Sequence, residues 1–482
     1  MWEWIDATVE KFRKCFSRRA TFNWFVIILI GLMVRSDHLG ISSIVRELCL
    51  VGSAYTNMLH FFRSNAWFLG DIRYIWMEIV KSNPYLIKES GRNILVSDGV
   101  KEAKEGKKMP GVKKLHQESD NSSKGEYIHG HLFGGLGILV GNETKIYSIL
   151  LSLRIHDGLS AIQKWWKEAG TKWLSGDIYD NEESHVVKTI RDAAEAVKRF
   201  GESILLLDRL YLTVPMLEAL KAVPGLSVVT KAKSNATAYY YPGPYKGRGA
   251  RAKKGPSIKI ASFFATHAAC FESTTLNLYG KDETVRYFCL DLLWGKKLYQ
   301  PLRFVLTEID GIKSILVSTD LTLSPEQIIK LYCKRFKIEC SFRELKQVVA
   351  GFAFHFWSKA MVKLEKFKKN EKNQENIEKI TDKHQRELIE STVNAIEGYV
   401  QIGVIALGML QIIGLQFGRE INESHTRFMR TKSNVTPSER TVADYLRKNI
   451  IMLFNFFPNL AITSIIKKQQ KLYSEKSDDL AA

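Results

Sequence analysis

The chain lacks the marks of several protein classes. Its six cysteines, Cys15, Cys49, Cys270, Cys289, Cys333 and Cys340, are scattered without C-x-x-C spacing. That argues against a disulfide framework and a zinc ribbon, and it fits a reducing, cytoplasmic setting. Neither the 32 glycines nor the 11 prolines are in excess for 482 residues, so collagen-like and low-complexity chains are excluded. There is no repeat of fixed period and no G-x-x-x-x-G-K-[ST] loop, so no nucleotide cofactor is expected. Long apolar runs are missing too. Of the two most apolar stretches, Trp24 to Val34 would span only about 16 Å as a helix, whereas a bilayer core needs about 30 Å. Its leader carries Glu3, Asp6 and Glu10, unlike a signal peptide. The other, Ile402 to Phe417, is broken by Gln411 and Gln416 and reads as a buried helix, so no membrane partner is expected.

Acidic residues are in deficit. Against 51 Asp and Glu stand 70 Lys and Arg, a net charge of +19 with a pI near 9.4. So large an excess points to a polyanionic partner, nucleic acid first and an anionic membrane surface second. The charge concentrates between Lys231 and Lys259, where eight basic residues (Lys231, Lys233, Lys246, Arg248, Arg251, Lys253, Lys254, Lys259) occur with no acidic one. Tyr239, Tyr240, Tyr241 and Tyr245 are interleaved with them. Cations between aromatics suit a surface that tracks a nucleic-acid backbone and stacks bases, though a solvated loop would have a similar composition.

Residues 1–88 read as helical. Ser42 is placed to cap a short helix through Leu50, and Val51-Gly52-Ser53 leads to a second helix near Arg63. That order suits a DNA-reading helix-turn-helix presenting Tyr55, Thr56, His60 and Arg63, although plain helical hairpins are far commoner than DNA readers. From Gly91 the chain reads as strands at Asn93–Ser97, Tyr127–Val140 and Ile146–Ile155, an amphipathic helix at Ser184–Phe200 and an apolar strand at Ile204–Leu207. Strands with a crossover helix describe a mixed α/β sheet, spanning residues 89–227. Residues 228–319 are mostly short β-like runs. A strong helix from Pro325 to about Val349 dominates 320–362, and 363–482 combine a charged linker with a helical region.

The helix after Pro325 carries Tyr332, Arg335, Glu339 and Lys346. At about 100° per residue these positions fall in one stripe roughly 60° wide, with one carboxylate, two cations and a phenol. Two other carboxylates stand out. Asp208 directly follows the apolar run Ile204–Leu207, where an unpaired charge is costly unless a metal or cation receives it. Asp98 ends the strand Asn93–Ser97, although Asp98-Gly99 is also a common hairpin turn. Two aspartates at neighbouring strand ends and a glutamate on a later helix can converge on two Mg²⁺ ions about 4 Å apart, as nuclease and strand-transfer chemistry requires.

Tyr332-x-x-Arg335-x-x-x-Glu339-x-x-x-x-x-x-Lys346 matches, at every spacing, the YREK signature of the insertion-sequence family four DDE transposases. Ser97-Asp98-Gly99, Leu207-Asp208-Arg209 and Phe356-Trp357-Ser358-Lys359-Ala360 are similar to neighbouring blocks of that family, and the resemblance covers about residues 90–360. It implies an RNase H-like mixed sheet with helices on both faces, interrupted by a mostly β insertion. It also implies that Asp98, Asp208 and Glu339 hold two Mg²⁺ ions, with Mn²⁺ able to substitute, while Tyr332, Arg335 and Lys346 grip phosphates beside the scissile bond. Related enzymes that open the DNA end through a hairpin hold a displaced base with tryptophans. Here Phe304 and Phe336 are the aromatics in range for stacking; both are as easily core aromatics, and for Phe336 the core reading is preferred. His116, His129 and His131 lie near the first aspartate without partner ligands and read as structural. The expected protein is a cytoplasmic, nucleoid-associated DNA transposase. Its partners would be double-stranded element ends and target DNA, which it would bind as a homodimer; a catalytically silent DNA-binding descendant is the alternative.

Overall fold

The computed structural model describes residues 1–117, 125–169, 183–245, 247, 250–364, 377–424 and 435–470. Helices α1 (Trp2–Glu10), α2 (Arg19–Val34), α3 (Ile41–Glu47), α4 (Ser53–Phe62) and α5 (Leu69–Lys81) come first. Strands β1 (Lys88–Glu89), β2 (Arg92–Ala103), β3 (Lys113–His116), β4 (Tyr127–Gly141) and β5 (Ile146–Ile155) follow. Next come helices α6 (Ser160–Ala169) and α7 (His185–Phe200), strand β6 (Ser203–Leu206), helix α8 (Val214–Lys221) and strand β7 (Leu226–Lys231). The insertion holds β8 (Thr237–Tyr239), β9 (Ser257–Lys259), the one-turn helix α9 (Phe263–Thr266), β10 (Glu272–Leu278), β11 (Lys281–Trp294), β12 (Gln300–Ile309) and β13 (Ile312–Ser318). Helices α10 (Pro325–Lys334) and α11 (Lys337–Gln347) precede the long helix Lys383–Gln416. The architecture is mixed α/β and RNase H-like, with a helical N-terminal region.

Two compact units divide the chain: Met1–Leu86, Gly99–His185 and Glu339–Ala482 form the first, Ile87–Asp98 and Val186–Ile338 the second. In the first unit β4 pairs antiparallel with β3 and β5. The long helix and α5 pack on β5, which is buried along nearly its whole length and is mostly aliphatic, with Ser148, Ser152 and Arg154 buried among the apolar residues. The stretch Trp24 to Val34 lies in α2, whose residues Phe25 to Val34 are all buried against the long helix and its neighbours. The long helix is the one described helix long and apolar enough to cross a membrane, and its most apolar window of 18 residues is 100% buried. Ile402 to Leu415 is thus core, as its composition implies.

Buried cations fasten this core. Arg73 and Glu397 pair at 3.2 Å with side chains 3% and 6% exposed. Glu397 also accepts from the Ile155 N–H at 2.9 Å, tying the end of β5 to the long helix. Arg35, 1% exposed, donates to the carbonyls of Gly40 at 2.9 Å, Ala350 at 2.8 Å and Val349, and to the Tyr399 hydroxyl at 3.2 Å. The carbonyls of Val349 and Ala350 lie just past the end of α11, so Arg35 satisfies buried backbone acceptors there, near the negative end of the helix dipole.

In the second unit the start of β2 runs parallel to β6, and β6 parallel to β7. Helix α8 makes the crossover between β6 and β7, burying Met216, Leu217 and Leu220, with the Thr213 hydroxyl and Pro215 setting its start. The insertion continues the same sheet: β13 pairs antiparallel with β7, β12 with β13, β11 with β12, and β10 with β11.

The structure departs from the sequence reading in four places. Strand β2 does not end at Ser97 and Asp98-Gly99 is not a turn; the strand runs on to Ala103. Gly99 serves close approach instead, since a Cβ there would lie 2.9 Å from the His185 Nε2. Helix α3 begins at Ile41 with Gly40 at its N-cap, so Ser42 lies inside it and caps nothing. The expected single helix from Pro325 to Val349 is two. At the joint the Arg335 N–H bonds the Tyr332 carbonyl at 3.0 Å and the Ile338 N–H the Arg335 carbonyl at 3.3 Å, a tighter three-residue spacing. Helix α6 has no counterpart among the expected elements.

Candidate active site

Strand β6 is wholly buried, and the chain leaves it through Leu207 to bring Asp208 to a half-buried position. The pairing of β2 with β6 runs from Asn93↔Ser203 to Val96↔Leu206. Asp98 and Asp208 each lie two residues past the last pair of that register, and the charges of both act on the Tyr211 phenol. The main chain of Asp208 is fixed, because its carbonyl accepts from the Thr230 hydroxyl at 2.9 Å and from the Tyr211 N–H at 3.0 Å. Tyr211 is 3% exposed. Burial, and then the charges of Asp98 and Asp208, hold its phenol well above the usual tyrosine range. One phenol thus registers both carboxylates.

Arg335 closes α10 and pairs with Asp98, Nη1 to Oδ2 3.2 Å, with the two side chains 15% and 23% exposed. Tyr332 lies one turn earlier. Burial pushes its phenol up to about 12, with the charge of Asp208 adding and that of Arg335 opposing. The second unit therefore brings together Asp98, Asp208, Tyr332, Arg335 and Tyr211. Carboxylate oxygens are hard donors that suit Mg²⁺ or Mn²⁺. By donor chemistry Asp98 and Asp208 suit a divalent cation. Among the described residues no three His, Cys, Asp or Glu side chains form a cluster that would hold a metal.

Glu339 and Lys346 lie in the first unit, on the first and last turns of α11. Ser341, Phe342 and Leu345 form the buried face of this helix, and the Ser341 hydroxyl donates to the Ser148 carbonyl on β5 at 2.6 Å. Glu339 is exposed. Lys346 pairs with Glu102 near the end of β2 at 2.8 Å and lies 5.7 Å from the Phe352 ring. Beside it, Lys104 donates to the carbonyls of Phe352 and Phe354 and stands 3.7 Å over the Phe354 ring. Burial, with Lys346 adding and Glu102 opposing, lowers the Lys104 ammonium to about 8.

Residues 176–367 match the family model of the Transposase DDE domain. The matched segment contains Asp208 and the whole run from Tyr332 to Lys346, and leaves Asp98 outside. The match supports a DDE transposase, a family whose work on DNA depends on divalent metal ions. No similar curated protein and no similar solved structure was found for the chain.

Other expected site residues fall differently. Phe304, in β12, is 0% exposed and offers no face to a base, so the stacking expectation is corrected for it: an inward position on a central strand made it core. Phe336 at the α10–α11 joint is half-buried, with the Tyr279 ring 5.4 Å away and the Lys337 ammonium 4.8 Å from its centre. In the basic tract Lys246 and Arg248 lie outside the described residues. Lys231 is half-buried on β7, and Lys233, Arg251, Lys253 and Lys254 are exposed. Two of the four interleaved tyrosines already receive cations, Lys254 at 4.0 Å over Tyr239 and Arg251 at 5.2 Å over Tyr245. His131 is core: 0% exposed, bonded to the Pro110 carbonyl at 2.8 Å and lowered by burial to about 4.

Sequence reasoning missed Tyr211 and Glu102. Tyr211 had a signal, since it follows Asp208 by one short turn. Glu102 had none, because Asp98-Gly99 hid the continuation of β2.

Proposed function

We propose that the protein is a DNA transposase that cuts the ends of its mobile element by phosphodiester hydrolysis and joins the 3′ ends to target DNA. The observation that supports this reading is the ion pair of Arg335 of the signature with Asp98, in a cluster where the charges of Asp98 and Asp208 both act on Tyr211. Together with Glu339 they would hold two divalent cations, which when bound supply an activated water or 3′-hydroxyl and stabilise the leaving oxygen. Arg335 would contact a phosphate through two N–H donors and Lys346 as a point charge, each exchanging a carboxylate partner for the DNA backbone. Tyr332 keeps its proton at neutral pH and can donate to a phosphate oxygen. Lys231, Lys233, Arg251, Lys253 and Lys254, with Lys246 and Arg248, would bind duplex without reading sequence, so that affinity falls with salt. The working form would be a homodimer on DNA, since two ends must be held together.

The test is cleavage of a plasmid carrying the coding region with its flanking DNA, in the presence of Mg²⁺ or Mn²⁺. Asp208→Asn is expected to lower cleavage at least about a thousandfold while leaving DNA binding intact. Cleavage that survives Asp208→Asn sinks the assigned site. An unmodified protein that binds DNA and never cuts it is the silent descendant.

A further inference from the structure

A cavity of about 610 Å³ opens between the segment Ala103–Met109, which leads out of β2, and His355 with Trp357, which follow α11. Its volume is that of a small-molecule site. The two walls are fastened together: the Ser358 N–H bonds the Lys108 carbonyl at 3.1 Å, the Leu364 N–H the Lys107 carbonyl at 2.7 Å, and the Lys108 ammonium the Lys359 carbonyl at 3.1 Å. The second wall alternates. Phe354 and Phe356 point inward at 1% and 5% exposure, so His355 and Trp357 point outward, and the indole is 51% exposed. A rigid wall therefore shows a large aromatic face to water beside Lys104, Lys107 and Lys108, with Glu105 as the one acidic lining residue. Lys104 in turn neighbours Lys346.

We propose that this cavity binds one unpaired nucleotide of a DNA strand, with its base stacked on Trp357 and its phosphates on Lys107 and Lys108. An aromatic platform next to cations is the chemistry of single-strand binding, in which the ring holds any base by its face and the lysines follow the backbone. The inference rests on the DNA reading above and adds to it a site for unpaired DNA next to the signature lysine. The half-exposed indole is not a core residue, so its removal is expected to leave the fold intact.

Binding of the full chain to a short oligodeoxythymidylate strand and to a blunt duplex tests this, with thermal unfolding run in parallel. Trp357→Ala is expected to weaken strand binding roughly 5- to 150-fold, the range for loss of one stacked base, and to leave duplex binding within about twofold. Trp357→Phe should restore most of the loss. Lys107→Ala with Lys108→Ala should flatten the salt dependence of strand binding by about one to two released ions. Free thymidine monophosphate should compete only weakly. The proposal is overturned if Trp357→Ala leaves strand affinity unchanged, if it weakens strand and duplex alike, or if the mononucleotide binds as tightly as the strand. A protein that binds neither strand nor duplex fails the transposase reading itself, whereas one that binds duplex normally without a Trp357-dependent preference for the strand fails only the pocket.

Discussion

Each unit contains a carboxylate paired with an arginine, and the two pairs are built differently. In the first, Arg73 and Glu397 are 3% and 6% exposed, and Gln401, the Leu153 carbonyl and the Ile155 N–H complete their hydrogen bonds. In the second, Asp98 and Arg335 are 23% and 15% exposed. A fully enclosed pair ties β5, α5 and the long helix into one piece, and exchanging either partner would strand a charge away from water. A half-buried pair can trade its cation for a metal ion and its anion for a phosphate at little cost in fold stability. The contrast separates charges that hold shape from charges poised for exchange.

Breaking the enclosed pair should have the largest effect on stability. Glu397→Ala leaves Arg73 charged and buried, and a loss of about 3–5 kcal/mol is expected in urea unfolding. Arg73→Met combined with Glu397→Leu should recover most of it. If the single variant loses less than about 1 kcal/mol, the pair is not the fastening described.

A second enclosed group sharpens the contrast through pH. His131 is lowered to about 4 in the fold, against 6.5 for a free imidazole. Below pH 6.5 the unfolded chain takes up a proton that the folded chain refuses, so stability should fall as pH drops from 6.5 to 4, by about 3 kcal/mol in total. His131→Gln should remove that slope. An unchanged slope would place the acid sensitivity elsewhere.

How far the fold could be read in advance follows from the same distinction. Strands β4 and β5 were legible nearly to the residue, because they are rich in aliphatic and β-branched residues and bounded by Gly and Asn. Helix α7 was legible from Val186, Val187, Ile190, Ala194 and Val197 at helical spacing, and β6 from the apolar run Ile204–Leu207. Local pattern failed where a distant contact decides. Gly99 looks like a turn until His185 is seen above it, and the α10–α11 joint leaves no mark in a sequence with good helix formers on both sides. Of the candidate site, Asp98 and Asp208 stood out in the sequence as charges at strand ends and Tyr332, Arg335, Glu339 and Lys346 as one helical stripe, but the α10–α11 joint divides that stripe between two helices. The partners Glu102 of Lys346 and Asp98 of Arg335 were not legible, since ion pairs between separate elements have no periodicity.

The smallest expected effect concerns the exchangeable charges. Lys346 and Glu102 meet at 2.8 Å with side chains 38% and 23% exposed, so water screens much of their attraction. A double-mutant cycle with Lys346→Met and Glu102→Gln should give a coupling of about 0.2–1 kcal/mol in unfolding experiments. Glu102→Gln alone should release Lys346 toward phosphate and tighten duplex binding by roughly two- to fivefold at low salt. Weaker binding by this variant would mean that Glu102 orients the lysine for DNA rather than competing with it. A coupling above about 2 kcal/mol would move the pair among the structural charges, and the division between the two kinds of pair would no longer hold at the signature lysine.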